Sequence, residues 1–366
     1  WLGARKSAAP TNLPEENEGT FLGWSVFRGV KKKVFIRDDD RTRHFYIIGQ
    51  TGSGKSELMK WIALQDIKRG EGVAVIDPHG TDIDDLLEKI PPERKNDVIL
   101  FDAAEREMPM GLNMLEAKDE TEKNIVINSF IALLYKLYDP NHQGIMGPLL
   151  ERAIRNVMLT AMVDPEATMI DVLRLFIDEG YSKKFLDKVT DPLVKRYWTD
   201  EVAKTSQSRK GETMGYFASK FDRITTDRTM RNIIGQKKSS FNFDEIMAQK
   251  KILLVDLAKG KLGEENSNFL GLLLVPRILT AALRRHQLKE GFPNFFLHVD
   301  EFQNFATPDF TTILSEARKY KLNLTITHQF INQLPEDIKN AIFGNVGTIC
   351  AFRVGIDDAE YLETQF

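Results

Sequence analysis

The run Gly49-Gln-Thr-Gly-Ser-Gly-Lys55-Ser56 constrains this chain more than any other stretch, because of what stands on either side of it. Before it, Phe45-Tyr-Ile-Ile48 is a short apolar run of the kind that forms a fully buried strand. After it, Glu57 to Arg69 reads as an amphipathic helix, with Leu58, Ile62 and Leu64 on or near its apolar side and Gly70 as its stop. Val73-Ala-Val-Ile76 and Val98-Ile-Leu-Phe101 follow as two more buried strands. Strands alternating with helices predict an α/β fold with a parallel sheet.

The loop itself fits the pattern G-x-x-x-x-G-K-[ST]. Gly49, Gly52 and Gly54 permit backbone angles that turn successive N–H groups inward, and Gln50, Thr51 and Ser53 add theirs, making a concave anion nest. The helix that follows contributes its positive N-terminal end. In such a nest Lys55 reaches the β- and γ-phosphates of a nucleotide, and the Ser56 hydroxyl ligates Mg²⁺. A glycine-rich turn with no ligand is the bland alternative, but it does not require the strand before and the helix after. No Asn-Lys-x-Asp guanine-reading element occurs in the chain, which favours ATP.

A second constellation lies far along the chain. Phe295-Phe-Leu-His-Val-Asp300-Glu301 is an apolar strand ending in two carboxylates. Asp300 at the strand tip suits a hold on Mg²⁺, and Glu301 beside it suits polarising a water that attacks the γ-phosphate. Asp256, ending Ile252-Leu-Leu-Val-Asp256, is the competing acid; Leu257 follows it, so the Asp300-Glu301 pair is preferred. In Leu322-Asn-Leu-Thr-Ile-Thr-His-Gln329 the terminal Gln329 is placed to sense the γ-phosphate, while His328 is expected to face the other way. Arg318, in Glu316-Ala-Arg-Lys-Tyr320, and Arg353, in Ala351-Phe-Arg-Val354, are the two candidates for an arginine finger supplied to a neighbouring subunit; the alternative for each is an ordinary surface arginine.

The remaining segments set the organisation. Residues 1–20 read as an arm or linker, followed by two short strands, Phe21–Phe27 and Lys33–Arg37, joined by a turn at Arg28-Gly29. Residues 119–235 break the strand–helix rhythm with helical runs at 120–138, 147–163, 168–178, 192–203 and 211–224. Strand-like runs then return at 252–256, 295–299, 324–327 and 348–354. This predicts one sheet domain, 21–118 with 236–366, interrupted by an all-α insertion over 119–235. The single cysteine, Cys350, lies in an apolar run and is expected to be a structural thiol. It allows neither an internal disulfide nor a cysteine cluster for zinc, which points to a reducing, cytoplasmic setting. The most apolar stretch, Phe269–Leu283, is short, broken by Pro276 and followed by Arg284-Arg285, so no membrane span is expected. The chain starts at Trp1 and reads as a piece of a longer one, so an anchor upstream is compatible with it.

Net charge is −3, with 50 Lys+Arg against 53 Asp+Glu, which excludes a uniformly basic nucleic-acid coat. Locally the balance differs. Residues 204–238 carry nine Lys/Arg against three Asp/Glu, with the polar Ser206-Gln-Ser-Arg-Lys-Gly211 among them and Tyr216 and Phe217 as candidate base-stacking rings. Arg28-Gly-Val-Lys-Lys-Lys33 is a second basic stretch. Solvated helix faces are the competing explanation for both.

His44 with the phosphate loop, Ile76-Asp-Pro-His-Gly80, Val299-Asp-Glu301, Glu316-Ala-Arg-Lys-Tyr320 and Thr327-His-Gln329 together resemble the HerA–FtsK clade of ring ATPases, and within it the coupling proteins of type IV secretion, which transfer DNA in conjugation. The resemblance runs from about residue 21 to 366 and implies a RecA-like P-loop motor domain carrying an inserted helical domain. It implies Lys55 and Ser56 as phosphate and Mg²⁺ residues, Asp300 and Glu301 as metal and catalytic acids, Gln329 as γ-phosphate sensor and Arg318 as the favoured trans finger, with Arg353 second. It further implies a homohexameric ring around DNA, working with secretion-channel or relaxosome proteins at the cytoplasmic face of the inner membrane. A HerA-like DNA-processing translocase and a secretion-assembly ATPase that switches protein contacts are the alternatives it leaves open. The membrane segments that usually precede such a motor are absent from this sequence.

Overall fold

The computed structural model describes residues 8–15, 18–140, 143–205, 207–285, 291–307 and 309–365, apart from the side chains of 179, 207–214, 222–223, 309 and 312–313. Two compact units emerge. One comprises residues up to Phe101 together with Phe243–Leu257 and Arg277–Phe366; the other comprises Asp102–Asn242 and Ala258–Pro276.

The first unit is built on a seven-stranded sheet. Its strands are β3 (Phe45–Ile48), β4 (Gly72–Asp77), β5 (Val98–Asp102), β6 (Ile252–Asp256), β7 (Phe295–Val299), β8 (Leu322–His328) and β9 (Thr348–Ala351), in the spatial order β5-β6-β4-β7-β8-β3-β9. The pairs β3/β8, β3/β9, β4/β6, β4/β7 and β7/β8 are all parallel. β4, β7 and β8 are buried at every position, as in a sheet covered on both faces; β4 and β7 are largely apolar runs, whereas β8 alternates Leu322, Leu324 and Ile326 with the buried polar Asn323, Thr325 and Thr327. β1 (Thr20–Phe27) and β2 (Val30–Ile36) form a separate antiparallel hairpin. Its turn has Arg28 at φ 48° and Gly29 at φ 83°, the two left-handed residues of the tight turn that matches strand twist.

The helix Lys55–Lys68 buries Met59, Ile62, Ala63 and Ile67 against the core beneath β3 and β4. Leu58, expected on that stripe, is only partly buried, while Asp66 lies within it at 0% exposure. The carboxylate is tolerated because Arg41, itself 2% exposed, answers it with two parallel hydrogen bonds of 2.6 Å. Thr20 of β1 accepts from the same guanidinium at 2.9 Å, and the ring of Phe296 lies 4.2 Å beneath it. Burial alone would raise the Asp66 pKa, but the Arg41 charge and hydrogen bonds hold it well below the usual carboxylate range.

The second unit is helical over the residues described. It contains Glu120–Tyr138, Pro148–Ala161, Met169–Ile177, Glu179–Leu186, Pro192–Arg196 running into a π-helical turn, Gln207–Thr226 and Arg228–Ile234. Its core is aromatic: Phe176 stacks on Phe217 at 3.9 Å, and Phe130 on Phe221 at 5.5 Å. Phe217 is therefore a core residue at 0% exposure, which corrects its reading as a ring free to stack on bases.

The apolar stretch around Pro276 is also corrected. Glu264–Arg284 is one continuous helix with the proline inside it. A mid-helix proline costs roughly 3 kcal/mol. Here Val275, Ile278, Leu279, Ala281 and Ala282 are all buried around it, and burying each large apolar side chain returns about 1.5–3 kcal/mol. By length and composition this helix passes as a membrane span, but 72% of its most apolar window is buried inside the molecule.

Candidate functional site

Parallel strands deliver their C-terminal ends to one edge of the sheet, and here that edge gathers the candidate chemistry. β3 opens into the phosphate loop. β8 lies beside β3 and ends at Gln329, and β7 lies beside β8 and ends at Asp300-Glu301. Asp256, at the end of β6, is separated from β3 by β4, β7 and β8, and its carboxylate lies against Gly80, where an added Cβ would come within 2.4 Å of it.

Within the loop, Gly52 (φ 73°) and Gly54 (φ 106°) occupy left-handed backbone, and Gly54 starts the helix Lys55–Lys68. Gly49 is needed for another reason: a Cβ there would meet Cβ of Phe352 at 2.6 Å and Oγ of Ser53 at 2.8 Å. The loop is buttressed by the segment after β9. Gln50 N–H donates to the Arg353 carbonyl (2.8 Å), Arg353 Nε donates to Gln50 Oε1 (2.9 Å), and Phe352 N–H donates to the Ile48 carbonyl (2.8 Å). The Lys55 ammonium, 6% exposed, rests on the Gln50 carbonyl at 3.3 Å. Ser53 Oγ is buried with no hydrogen-bond partner among the described residues.

The acidic pair meets this loop. Ser56 Oγ donates to Asp300 Oδ2 at 3.0 Å, joining residues from opposite ends of the chain. Asp300 Oδ1 accepts from the Glu301 N–H (2.9 Å) and from Thr327 Oγ1 through a short hydrogen bond. Glu301 has φ 48°, a left-handed conformation that costs a non-glycine residue of order 1–3 kcal/mol and clusters at functional sites. Its carboxylate is held by two amides, Gln329 Nε2 on Oε1 (2.7 Å) and Gln303 Nε2 on Oε2 (2.6 Å). On the flank, burial lifts the Asp77 carboxyl to about 6; the neighbouring charges of Asp82 and Asp300 add to this, and backbone N–H groups of His79 and Asp82 oppose it.

Thr327, named only as part of a motif, and Gln303 were given no role from the sequence. Thr327 had a signal: on a strand, residues two apart share a face, so it points the same way as Gln329. Gln303 had none, because its approach to Glu301 depends on the 3₁₀ turn Phe302–Asn304 and the left-handed Glu301. His328 points away from the loop, as expected, with its ring 5.2 Å from Tyr46 and Nε2 3.3 Å from the tyrosine hydroxyl.

His44 (φ 67°) is structural. Its Nδ1 accepts from the Leu324 N–H at 3.2 Å, so Nε2 carries the proton and donates to the Leu314 carbonyl at 3.1 Å. Burial lowers its pKa to about 4; the hydrogen bond to Leu314 raises it, and the charge of Arg318 lowers it. Arg318 is exposed in the 3₁₀ turn Ala317–Tyr320, which precedes β8. It thus stands at the opposite edge of the sheet from the phosphate loop, whereas Arg353 stands on the loop of its own chain. Cys350 is a free, half-buried thiol on β9, and burial raises its pKa.

A hydroxyl and a carboxylate 3.0 Å apart beside an anion nest suit Mg²⁺, which keeps most of its shell for water and phosphate oxygens and takes only one or two protein ligands. No group of three or more His, Cys, Asp or Glu that would cage a metal by itself occurs among the described residues. The unpartnered Ser53 hydroxyl and the left-handed glycines likewise suit phosphate oxygens.

Of the basic stretches, Ser206 lies outside the described residues, as do the side chains of Arg209, Lys210 and Arg223. Tyr216 is 39% exposed, with its hydroxyl on the Ile145 carbonyl and Lys220 4.9 Å over its ring. On the hairpin, Lys31 sits 4.3 Å over the exposed ring of Trp24.

Residues 25–260 match the family described as helicase HerA, central domain, over more than half of the chain. The chain belongs to the HerA central-domain family. Residues 294–364 of this HerA-family chain match a second family, the TraM recognition site of TraD and TraG. Among solved structures, the plasmid coupling protein TrwB in complex with a non-hydrolysable GTP analogue is similar at 14% identity and TM-score 0.59, covering 96% of this chain and 73% of TrwB. TrwB in complex with ADP and Mg²⁺ is similar at 14% identity and TM-score 0.56, with 96% and 74% covered. VirB4 of Thermoanaerobacter pseudethanolicus is similar at 16% identity and TM-score 0.62, with 96% and 88% covered. These likenesses show a shared P-loop NTPase fold. None of the curated proteins matches the chain in sequence.

Proposed function

We propose that this HerA-family chain is the ATP-hydrolysing motor of a conjugative or type IV secretion system, moving DNA as a homohexameric ring. The observation that carries the reading is the contact of Ser56 with Asp300, which puts a phosphate loop against a carboxylate pair whose second member is oriented by two amides. Gly49 to Gly54 would cradle the phosphates of ATP, Lys55 would leave the Gln50 carbonyl to neutralise the β- and γ-oxygens, and Ser56 and Asp300 would hold Mg²⁺. The bound ion would draw charge from the transferring phosphoryl group. Glu301, with one lone pair of each oxygen taken by an amide, retains others to accept a proton from the attacking water. Gln329 touches Glu301 and would report the γ-phosphate to it.

Arg318 is assigned as the trans finger, because at the far edge of the sheet it reaches no phosphate on its own loop. Arg353 is assigned in cis, bracing Gln50. The helical segment 119–235 is taken as an insertion into the motor domain of 21–118 and 236–366, with residues 1–20 as its arm. TrwB is a plasmid coupling protein, and the TraM-recognition match at 294–364 favours that role, with relaxosome or secretion-channel proteins as partners at the cytoplasmic face of the membrane. The HerA match favours a DNA-processing translocase as the second reading.

ATP turnover by the chain with and without DNA at low salt tests the motor reading. DNA-stimulated turnover is expected; turnover that depends on Lys55 and ignores DNA would replace the motor with an ATPase that switches protein contacts.

A further inference from the structure

The helical unit holds an open cavity of about 410 Å³ lined by Arg106, Asp227, Arg228, Thr229 and Asn232. The lining is rich in donors: two guanidinium groups, a hydroxyl and a carboxamide face one carboxylate. That carboxylate is already engaged. Asp227 accepts from the Thr229 N–H (2.8 Å), the Met230 N–H (3.0 Å) and Asn266 Nδ2 (3.3 Å). Of the two acids that flank Arg106 in sequence, Glu105 is turned onto its own loop, accepting from the N–H groups of Glu107 (2.7 Å) and Met108 (3.3 Å).

Neither the Arg106 nor the Arg228 guanidinium has a hydrogen-bond or salt-bridge partner among the described residues. Other exposed arginines of the same unit do: Arg152 pairs with Glu201, Arg174 with Asp178 and Arg196 with Asp200. Two like charges brought to one concavity repel each other, and an anionic ligand removes that cost. Guanidinium forks match phosphate oxygens in bidentate geometry, and the hydroxyl and amide extend the same set. The volume lies at the small end of the range for ligand sites, suited to a phosphoryl group with its sugar.

We propose that this cavity is a phosphate site, filled by a backbone phosphate of a nucleic-acid strand. The strand as source rests on the DNA reading above; the oxyanion chemistry does not. It also gives a definite place to part of the basic excess over 204–238.

The test uses the full chain, with Arg106→Gln/Arg228→Gln compared against Arg152→Gln/Arg196→Gln, a pair of equal charge change whose arginines are already partnered. Two probes are titrated: a labelled single-stranded DNA oligonucleotide across a salt series, and inorganic pyrophosphate in a Lys55→Ala background that removes the phosphate loop. Loss of the cavity arginines is expected to weaken the oligonucleotide at least about ten-fold and to flatten its salt dependence by roughly two phosphate contacts, the control pair changing it less than about two-fold. Pyrophosphate binding lost with the cavity arginines while the oligonucleotide is unaffected would keep the site and make a free phosphate compound its ligand. A wild-type chain that binds no DNA would end the DNA reading, and the pyrophosphate titration would still decide the cavity. Equal binding of both probes to the cavity variant and to wild type, or an equal loss in the control pair, would overturn the proposal.

Discussion

Glu301 shows how one side chain is prepared for work. A strained left-handed backbone aims it, and Gln329 and Gln303 each restrain one carboxylate oxygen. Replacing Gln303 with Ala frees one oxygen without touching the phosphate loop, so kcat for ATP should fall roughly 10-fold or more while KM stays near wild type. A fall confined to KM would instead place Gln303 in substrate binding. His44 makes a second prediction. In the folded protein it titrates near 4, against 6.5 when unfolded, so between those values the unfolded chain binds more protons. Stability contributed by neutral His44 is complete above pH about 6.5 and is lost as pH falls toward 4, by about 3 kcal/mol at most. His44→Asn, which tolerates the left-handed backbone, should flatten that part of the acid limb in thermal melts between pH 4 and 7. An unchanged limb would assign the acid lability elsewhere.

Buried polar pairs decide as much as apolar stripes do at the scale of elements. Arg41 and Asp66 fasten the hairpin, through Thr20, to the helix behind the phosphate loop. Arg41→Met leaves Asp66 to Arg69, at 2.5 Å, and Asp66→Asn takes the counter-charge from the buried Arg41; each should cost up to about 3–5 kcal/mol in urea unfolding, whereas joint apolar replacement should cost far less than the sum. Additive losses would mean the pair is not coupled. Phe217→Ala should likewise cost about 3–5 kcal/mol of stability, as expected for an aromatic stacked in a core. Strands such as β4 and β7 were legible in the sequence because each is a short, mainly apolar run ending at a polar residue. The Arg41–Asp66 pair was not, since 24 intervening residues carry no periodic trace of it. Nor was the helix through Pro276, where burial from elsewhere in the chain overrides a local breaker. The helices Glu179–Leu186 and Arg228–Ile234 also escaped notice, because about two turns are too few for a 3.6-residue period to show. The gathering of the loop, Asp300, Glu301 and Gln329 at one edge was readable because each stands at the end of a parallel strand; the approach of Gln303 was not, because a turn brings it there.

For the whole molecule, the two arginines make opposite predictions. If Arg318 serves a neighbour, inactive Arg318→Ala chains mixed with inactive Lys55→Ala chains should regain part of the ATPase rate, because some interfaces then combine an intact loop with an intact arginine. Arg353 is hydrogen-bonded to Gln50 of its own phosphate loop, so under the proposed reading Arg353→Ala chains carry a fault that no neighbour's arginine can make good. Recovery with Arg353→Ala chains and none with Arg318→Ala chains would reverse the cis and trans assignments, and equal recovery in both mixtures would put Arg353 in trans as well. Beneath this lies the claim that one site binds ATP through the phosphate loop and hydrolyses it through the carboxylate pair. The most direct test measures MgATP binding and hydrolysis side by side for wild type, Lys55→Ala and Glu301→Gln. We predict that Lys55→Ala loses both, and that Glu301→Gln binds ATP within about threefold of wild type yet hydrolyses it at least about 100-fold more slowly. Normal ATP binding by Lys55→Ala, or wild-type turnover by Glu301→Gln, would contradict the account.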